Sequence, residues 1–296
     1  GGMNRLLGVM LASVLSSPAH AVFLGGVGQT FGKDEYKGTN VHAGFNLGSF
    51  SITPEYSRVQ DKNSNGAVSA AQLRLGMDTR WAGIGLITGR TFAHQRYSNF
   101  YGGADVSFTI SPMGEGGVRR IGGPGRGGAP TGKGLARVDF GGGLLHTLHK
   151  EDGTTATVGT KLGQNDIHAF VGASFLNVLL SGRLAKSTYD KDLKTTAAPN
   201  AGRPVITGHL PIGGSYPYTS LHLSGEFTAF PMVAPYATYT LTQFKEIASG
   251  KPSETKALGA GVRVGLEMLG INAAAQKITT SGYNGTFFNL GADLRF

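Results

Sequence analysis

The chain ends Phe288-Asn289-Leu290-Gly291-Ala292-Asp293-Leu294-Arg295-Phe296, and this stretch decides the fold. Phe288, Leu290, Ala292, Leu294 and Phe296 occupy every second position, and Asn289, Gly291, Asp293 and Arg295 fill the gaps. On an extended strand successive side chains point to opposite faces, so this segment has one apolar face and one small or polar face. Working upstream, the same period recurs. Leu258, Ala260, Val262, Val264 and Leu266 alternate with Gly259, Gly261, Arg263 and Glu267. Ile167, Ala169, Val171, Ala173 and Phe175 alternate with His168, Gly172 and Ser174. Val41, Ala43, Phe45 and Leu47 alternate with His42, Gly44 and Asn46.

Alternation alone suits a soluble sandwich as well as a membrane barrel, and three further features separate them. The alternating segments run about 10–12 residues, the length a tilted strand needs to cross a bilayer. Their polar faces carry Gly, Ser, Thr and isolated charges, as a wet lumen allows. Tight connectors, such as Gly48-Ser49 and Leu176-Asn177, alternate with long polar ones at 61–66, 190–217 and 247–256. Composition agrees. Of 296 residues 48 are glycine, about twice the usual ~7 %, and charged residues are 15 % against ~25 % in soluble domains. The absence of cysteine excludes a disulfide scaffold, thiolate metal sites and Cys nucleophiles.

The fold these features point to is all-β, a transmembrane antiparallel up-and-down β-barrel with short periplasmic turns and long extracellular loops. Alternating segments begin near residues 22, 38, 49, 67, 82, 98, 134, 154, 166, 178, 217, 235, 257, 271 and 286. That is fifteen, and a single-chain bacterial barrel needs an even number. The doubtful segments are 22–31 and the crowded region 154–175, so fourteen strands are expected, with twelve as the alternative.

Residues 1–21 read differently. Asn4 and Arg5 precede an apolar run at 6–15, and Ala19-His20-Ala21 has the small-x-small form of a signal-peptidase site. This is the layout of a cleaved secretory signal, and the run is too short to span a bilayer as a helix. The expected division is a leader at 1–21, with Gly1 and Gly2 as an N-terminal remnant, and a single barrel domain at 22–296.

A last amphipathic strand ending in Phe resembles that of bacterial outer-membrane β-barrels of the porin-like class. The resemblance covers the mature chain as a class and implies a bacterial outer-membrane location. It also implies that the barrel-assembly machinery reads the end of the chain, with Phe288 and Phe296 as the assembly signal. A barrel of this size has room for an aqueous lumen, whereas eight strands would be filled by their own side chains. The expected function is passive diffusion of small hydrophilic solutes with an anion preference. A structural or adhesive barrel, binding a partner through loops such as 190–217, is the alternative.

The chemistry-bearing residues fall into three groups. Segment 111–134, SPMGEGGVRRIGGPGRGGAPTGKG, holds ten glycines and three prolines and fits neither strand nor helix. Its Arg119, Arg120, Arg126 and Lys133 are the candidates for a positive pore constriction. Gly127 to Lys133 matches the spacing of a phosphate loop, but Gly134 stands where Ser or Thr should bind metal, and no helix follows. Inward-facing wall charges are the second group: Arg74, Arg137, Arg183 and Arg263, opposed by Glu55, Asp105, Asp139 and Glu226. The third group is enzymatic and is incomplete. Outer-membrane lipid hydrolases resemble one another in a His-x-Ser-Asn element, but Lys62 and Arg96 stand where the His should be, before Ser64 and Ser98. His146 and His149 neighbour Asp152 only loosely. No enzyme activity, cofactor or metal site is therefore expected; the eight histidines show no metal spacing. The net charge of +9 is dispersed, with no basic run for nucleic acid, and suits a basic exterior facing outer-membrane lipid and lipopolysaccharide.

Overall fold

The structure, a computed structural model, describes residues 22–62, 66–114, 120–124, 134–195, 204–205, 210–211, 216–266 and 268–295. Fourteen strands close into one barrel. They are β1 Val22–Gly32, β2 Tyr36–Leu47, β3 Phe50–Gln60, β4 Val68–Asp78, β5 Ala82–His94, β6 Tyr97–Gly114, β7 Gly134–Glu151, β8 Thr160–Phe175 and β9 Val178–Tyr189. After a long connection the wall resumes with β12 Pro217–Phe227, β13 Val233–Phe244, β14 Thr255–Gly265, β15 Leu269–Thr280 and β16 Tyr283–Arg295. That connection carries a two-residue pair of its own, β10 Pro204–Val205 against β11 Leu210–Pro211. Each wall strand pairs antiparallel with its sequence neighbour, β9 pairs with β12, and β1 closes on β16 from Leu24↔Arg295 to Gly32↔Phe287.

Segment 22–31, doubtful from sequence, is therefore the strand that closes the ring. The two segments expected at 154 and 166 are one strand, β8, preceded by a loop. This brings fifteen to fourteen, and every backbone ladder in the wall finds a partner, as a membrane barrel requires. Among the described residues no helix is long and apolar enough to cross a membrane.

The alternation maps onto the two faces as the period demands. Val41, Phe45, Ile84, Leu86, Leu144, Ile167, Val171, Leu180, Leu184, Leu258, Phe288 and Leu290 point outward and are exposed. Such a contiguous apolar surface is costly in water and suits lipid. Both ends of the wall, β1 and β16, sit at one rim with the tight turns Gly48-Ser49 and Leu176-Asn177. The opposite rim carries the long connections 61–67, 190–216 and 245–254, together with tight turns such as Gln95-Arg96. One connection breaks this pattern: 115–133, between β6 and β7, is long yet lies at the turn rim.

Candidate functional site

The lumen wall is built from the inward parity of each strand. On β6 and β7 this parity gives Ser107, Thr109, Arg137 and Asp139, which in an open lumen would face water. Instead Asp139 has no exposure and Arg137 is 2 % exposed. The cause is the β6–β7 connection. Its described part, residues 120–124, folds back into the barrel and lies on the inner wall.

Asp139 anchors this fold. Its Oδ2 accepts the backbone N–H of Ile121 at 2.6 Å. Its Oδ1 accepts Thr109 Oγ1 at 2.6 Å and Arg137 Nε at 2.9 Å. A carboxylate with donors from β6, β7 and the connection is well satisfied, which is the condition for keeping a charge dry. Beyond Asp139 the segment crosses β8 and reaches β9. A Cβ on Gly172 of β8 would fall 2.1 Å from the Ile121 carbonyl oxygen, and one on Gly122 would fall 2.6 Å from Ser181 Cβ of β9. Glycine at 172 is thus what lets backbone pass over wall, and Gly122, at φ +73°, adopts a conformation that other residues strain to reach. In the other direction Arg120 Nη2 donates to the Thr79 carbonyl in the β4–β5 turn at 2.9 Å.

The loop rim of the same arc is covered too. Leu193 and Tyr216 of the β9–β12 connection pack with Tyr97 and Leu162 in a buried cluster. Beside them Tyr97 Oη and His149 Nδ1 lie at 2.7 Å, and His149 Nε2 and Gln164 Oε1 at 2.9 Å. The facing arc stays wetter. His42 Nε2 and Asp293 Oδ1 pair at 3.0 Å across Gly26, with side chains 28 % and 38 % exposed. Arg263 pairs with Glu226 and is 51 % exposed.

The wall charges named from sequence all point inward, and most are spoken for. Arg74 Nη1 meets Asp105 Oδ2 at 2.7 Å, Arg137 meets Asp139, Arg263 meets Glu226, and Glu55 accepts from Asn40. Arg183 differs: among the described residues it has no ion-pair partner. It stands on β9 opposite Phe170 of β8 and His222 of β12. Two residue pairs further along, on the same face of β8, His168 carries a buried Nε2 without a hydrogen-bond partner among the described residues. His222 Nδ1 lies 2.8 Å from Thr240 Oγ1.

Of the four constriction candidates, Arg120 is buried against the wall. Arg119, Arg126 and Lys133 lie outside the described residues, as does Phe296. Phe288 faces outward, opposite Phe31 of β1. The histidines weighed for catalysis do not converge. His149 is buried on the inner side, while His146 bonds Asn165 on the outer side. Ser64 lies outside the described residues. Among the described residues no three His, Asp or Glu are grouped to hold a metal. The sequence reading missed Ile121, Thr109 and the Leu193–Tyr216 cover. One local sign of the anchor was present, Arg137 and Asp139 two apart on one strand face.

The sequence matches no family model, and no curated protein matches it. Among solved structures, the CymD monoaromatic hydrocarbon channel aligns over 97 % of this chain and 91 % of its own, at 8 % identity and a TM-score of 0.51. The fold is that of the bacterial outer-membrane β-barrels. OmpT of Vibrio cholerae aligns over 95 % of this chain and 99 % of its own, at 10 % identity and TM-score 0.49. CdiB from Acinetobacter baumannii aligns over 93 % of this chain at 11 % identity and TM-score 0.49, and this chain spans 60 % of CdiB. At such identities the common ground is the barrel itself, and the lumen of this chain has to be read from its own residues.

Proposed function

We propose that this outer-membrane barrel is a pore for passive diffusion of small hydrophilic solutes, with a preference for anions. The observation that carries the reading is Arg183. Three of the four wall arginines are neutralised by acids, Arg137 by one on its own strand and Arg74 and Arg263 by acids two strands away, whereas Arg183 faces the lumen between two histidines. A cation in a partly wet, low-dielectric wall acts on passing ions far more strongly than one in bulk water. The inward fold at residues 120–124 supports the reading by narrowing the lumen at the turn rim. The wetter arc opposes this with Glu55 and Asp293, so the sign of the preference is set locally, at the narrow part, and not by the total.

Planar-bilayer recordings of refolded protein test both halves of the proposal. Steady conductance in KCl, with a reversal potential of anion sign in a salt gradient, is expected. Arg183→Gln shifts that potential toward cation preference, and the shift shrinks as salt rises. Replacing Arg119, Arg120, Arg126 and Lys133 together with Gln shifts it the same way. A silent bilayer overturns the pore, and a cation-selective wild-type pore overturns the anion preference.

A further inference from the structure

Most of the lumen wall carries an ionisable side chain at mid-height, and one arc does not. Between the fourth and eighth residues above the turn rim, the inward positions include His42 on β2, Glu55 on β3, Arg74 on β4, His168 on β8, Arg183 on β9 and His222 on β12. Asp105 of β6 stands at the same level, opposite Gly85 of β5. On β13, β14, β15 and β16 no charged residue or histidine occupies these levels. The inward positions there are amides, hydroxyls, glycines and one alanine.

These polar groups are held in place before any solute arrives. Tyr236 Oη donates to Asn272 Oδ1 at 2.8 Å, Asn272 Nδ2 to Asn289 Oδ1 at 3.2 Å, and Asn289 Nδ2 to Thr30 Oγ1 of β1 at 3.0 Å. A side-chain amide has two N–H donors and a carbonyl oxygen with two lone pairs. The ladder therefore leaves one N–H and one lone pair on each of Asn272 and Asn289. Thr238 and Gln276 add more: both are half-buried, and their side chains make no hydrogen bond among the described residues. They face each other across Gly259, where a Cβ would fall 2.6 Å from Thr238 Oγ1 and 3.8 Å from Gln276 Cγ. Gly28 and Gly291 leave hollows beside the ladder, since a Cβ at either would have nothing closer than 3.9 or 3.5 Å.

We propose that this arc binds a neutral polyhydroxylated solute, a sugar or short oligosaccharide, as it passes through the lumen. The inference rests on the lumen being open to solutes, as the pore reading holds. A hydroxyl both donates and accepts, and so do the groups left over on Asn272, Asn289, Gln276 and Thr238. An ion finds no opposite charge on these strands, and an apolar solute finds no apolar side chain larger than alanine beside the Tyr236 ring. Amides fixed by one another lose little freedom when a solute binds, which favours affinity. From β13 to β1 the patch covers four strand spacings, about 19 Å, and about 13 Å along the strands, room for more than one sugar ring.

Saturation-transfer NMR on the detergent-solubilised barrel tests it, with sucrose and maltotriose as probes and N-acetyl-triglycine amide as a neutral peptide. Both sugars are expected to bind saturably and more tightly than the peptide. Asn272→Ala/Asn289→Ala should weaken sugar binding about tenfold, as the loss of two neutral hydrogen bonds of modest strength predicts. Gln276→Ala should weaken it several-fold. Gly291→Val fills a hollow while leaving the ladder intact and should also weaken it; these two variants decide the matter if the double variant does not fold. Asn165→Ala, an amide on the outer surface, should leave binding unchanged. Heat-modifiable gel mobility reports the folding of each variant. Sugar binding in detergent beside a silent bilayer would remove the pore and keep the site, and conductance without sugar binding would do the reverse. A sugar signal that does not saturate, tighter binding of the peptide, or undiminished binding by folded variants overturns the proposal.

Discussion

Gly172→Ala is the sharpest probe of the inward fold. Position 172 faces the lumen on β8, where in an open barrel an added methyl would meet only water, and Gly to Ala within a strand is ordinarily neutral or favourable. Here the methyl would sit 2.1 Å from the Ile121 carbonyl oxygen and 2.6 Å from its carbon, both backbone atoms that cannot swing aside. Ordinary contact begins at 3.4 Å, so the segment has to retreat by about 1.3 Å, the difference between 3.4 and 2.1 Å. A hydrogen bond of 2.6 Å from the Ile121 N–H to Asp139 does not survive a retreat of that size. Losing one hydrogen bond to a charged group costs about 1.5–3 kcal/mol, which raises the open population roughly ten- to hundredfold. Because the chain has no cysteine, Ile121→Cys supplies a single thiol. Labelling by a membrane-impermeant maleimide should be slow in Ile121→Cys alone and accelerate by about that factor when Gly172→Ala is added. Single-channel conductance should rise in Gly172→Ala. Gly28→Ala, where the nearest atom is 3.9 Å away, should change neither. Equal labelling rates with and without Gly172→Ala would show that the segment does not rest on β8, and the narrowing argued from it would fall.

Other outcomes follow from the same geometry. Asp105→Asn removes the partner of Arg74 and should move the reversal potential toward anion preference, the opposite sign to Arg183→Gln; salt-gradient recordings compare the two. Phe288→Arg puts a cation on the lipid face beside Phe31, at a cost of about 2–4 kcal/mol near mid-bilayer and less toward a rim, and should lower the yield of heat-modifiable, inserted barrel. Deleting Phe296 should impair assembly in cells more than refolding in detergent, because only the former depends on recognition of the chain end. Mass analysis of exported protein should find Val22 as the mature N-terminus.

How far the sequence could be read depends on where in the barrel one looks. Within the belt, water on one side and lipid on the other force a strict period of two, so strands such as Leu258 to Val264 and Phe288 to Leu294 are plain. Above the belt that force vanishes. At the loop end of β8, Leu162 points inward beneath Leu193 and Tyr216 while Lys161 and Asn165 point outward, which reverses the polarity of the code. Apolar parity therefore breaks within this region, and the sequence pattern there reads as two segments although it forms the single strand β8. The glycine-rich connection fails for a different reason. Its order comes from partners distant in the chain, Asp139, Gly172 and Thr79, and nothing local in residues 120–124 announces them. Inward direction was legible for wall charges such as Arg74, Arg137, Arg183, Arg263, Asp105 and Asp139, but their partners were not. That Arg74 meets Asp105, 31 residues away, and that Arg183 meets no acid among the described residues, depends on register across several strands.

Register also changes what the net charge of +9 means. A basic protein invites the inference of a basic pore, yet the charges do not divide that way. Inward wall positions carry eight acids against five arginines, at 74, 137, 183, 263 and 295, while the eight outward wall charges are all basic. The positive excess on the strands therefore belongs to the exterior at the loop rim. Selectivity has to arise from geometry: which acids are buried under Arg137, Arg74 and the inward fold, and which cation remains facing the passage. Burial removes Asp139 and Asp105 from the solute's view without removing them from the sequence. An acid-rich wall can in this way present a cation at its narrow part, and the chain's overall charge is a guide to the membrane leaflet it suits more than to the ion it passes.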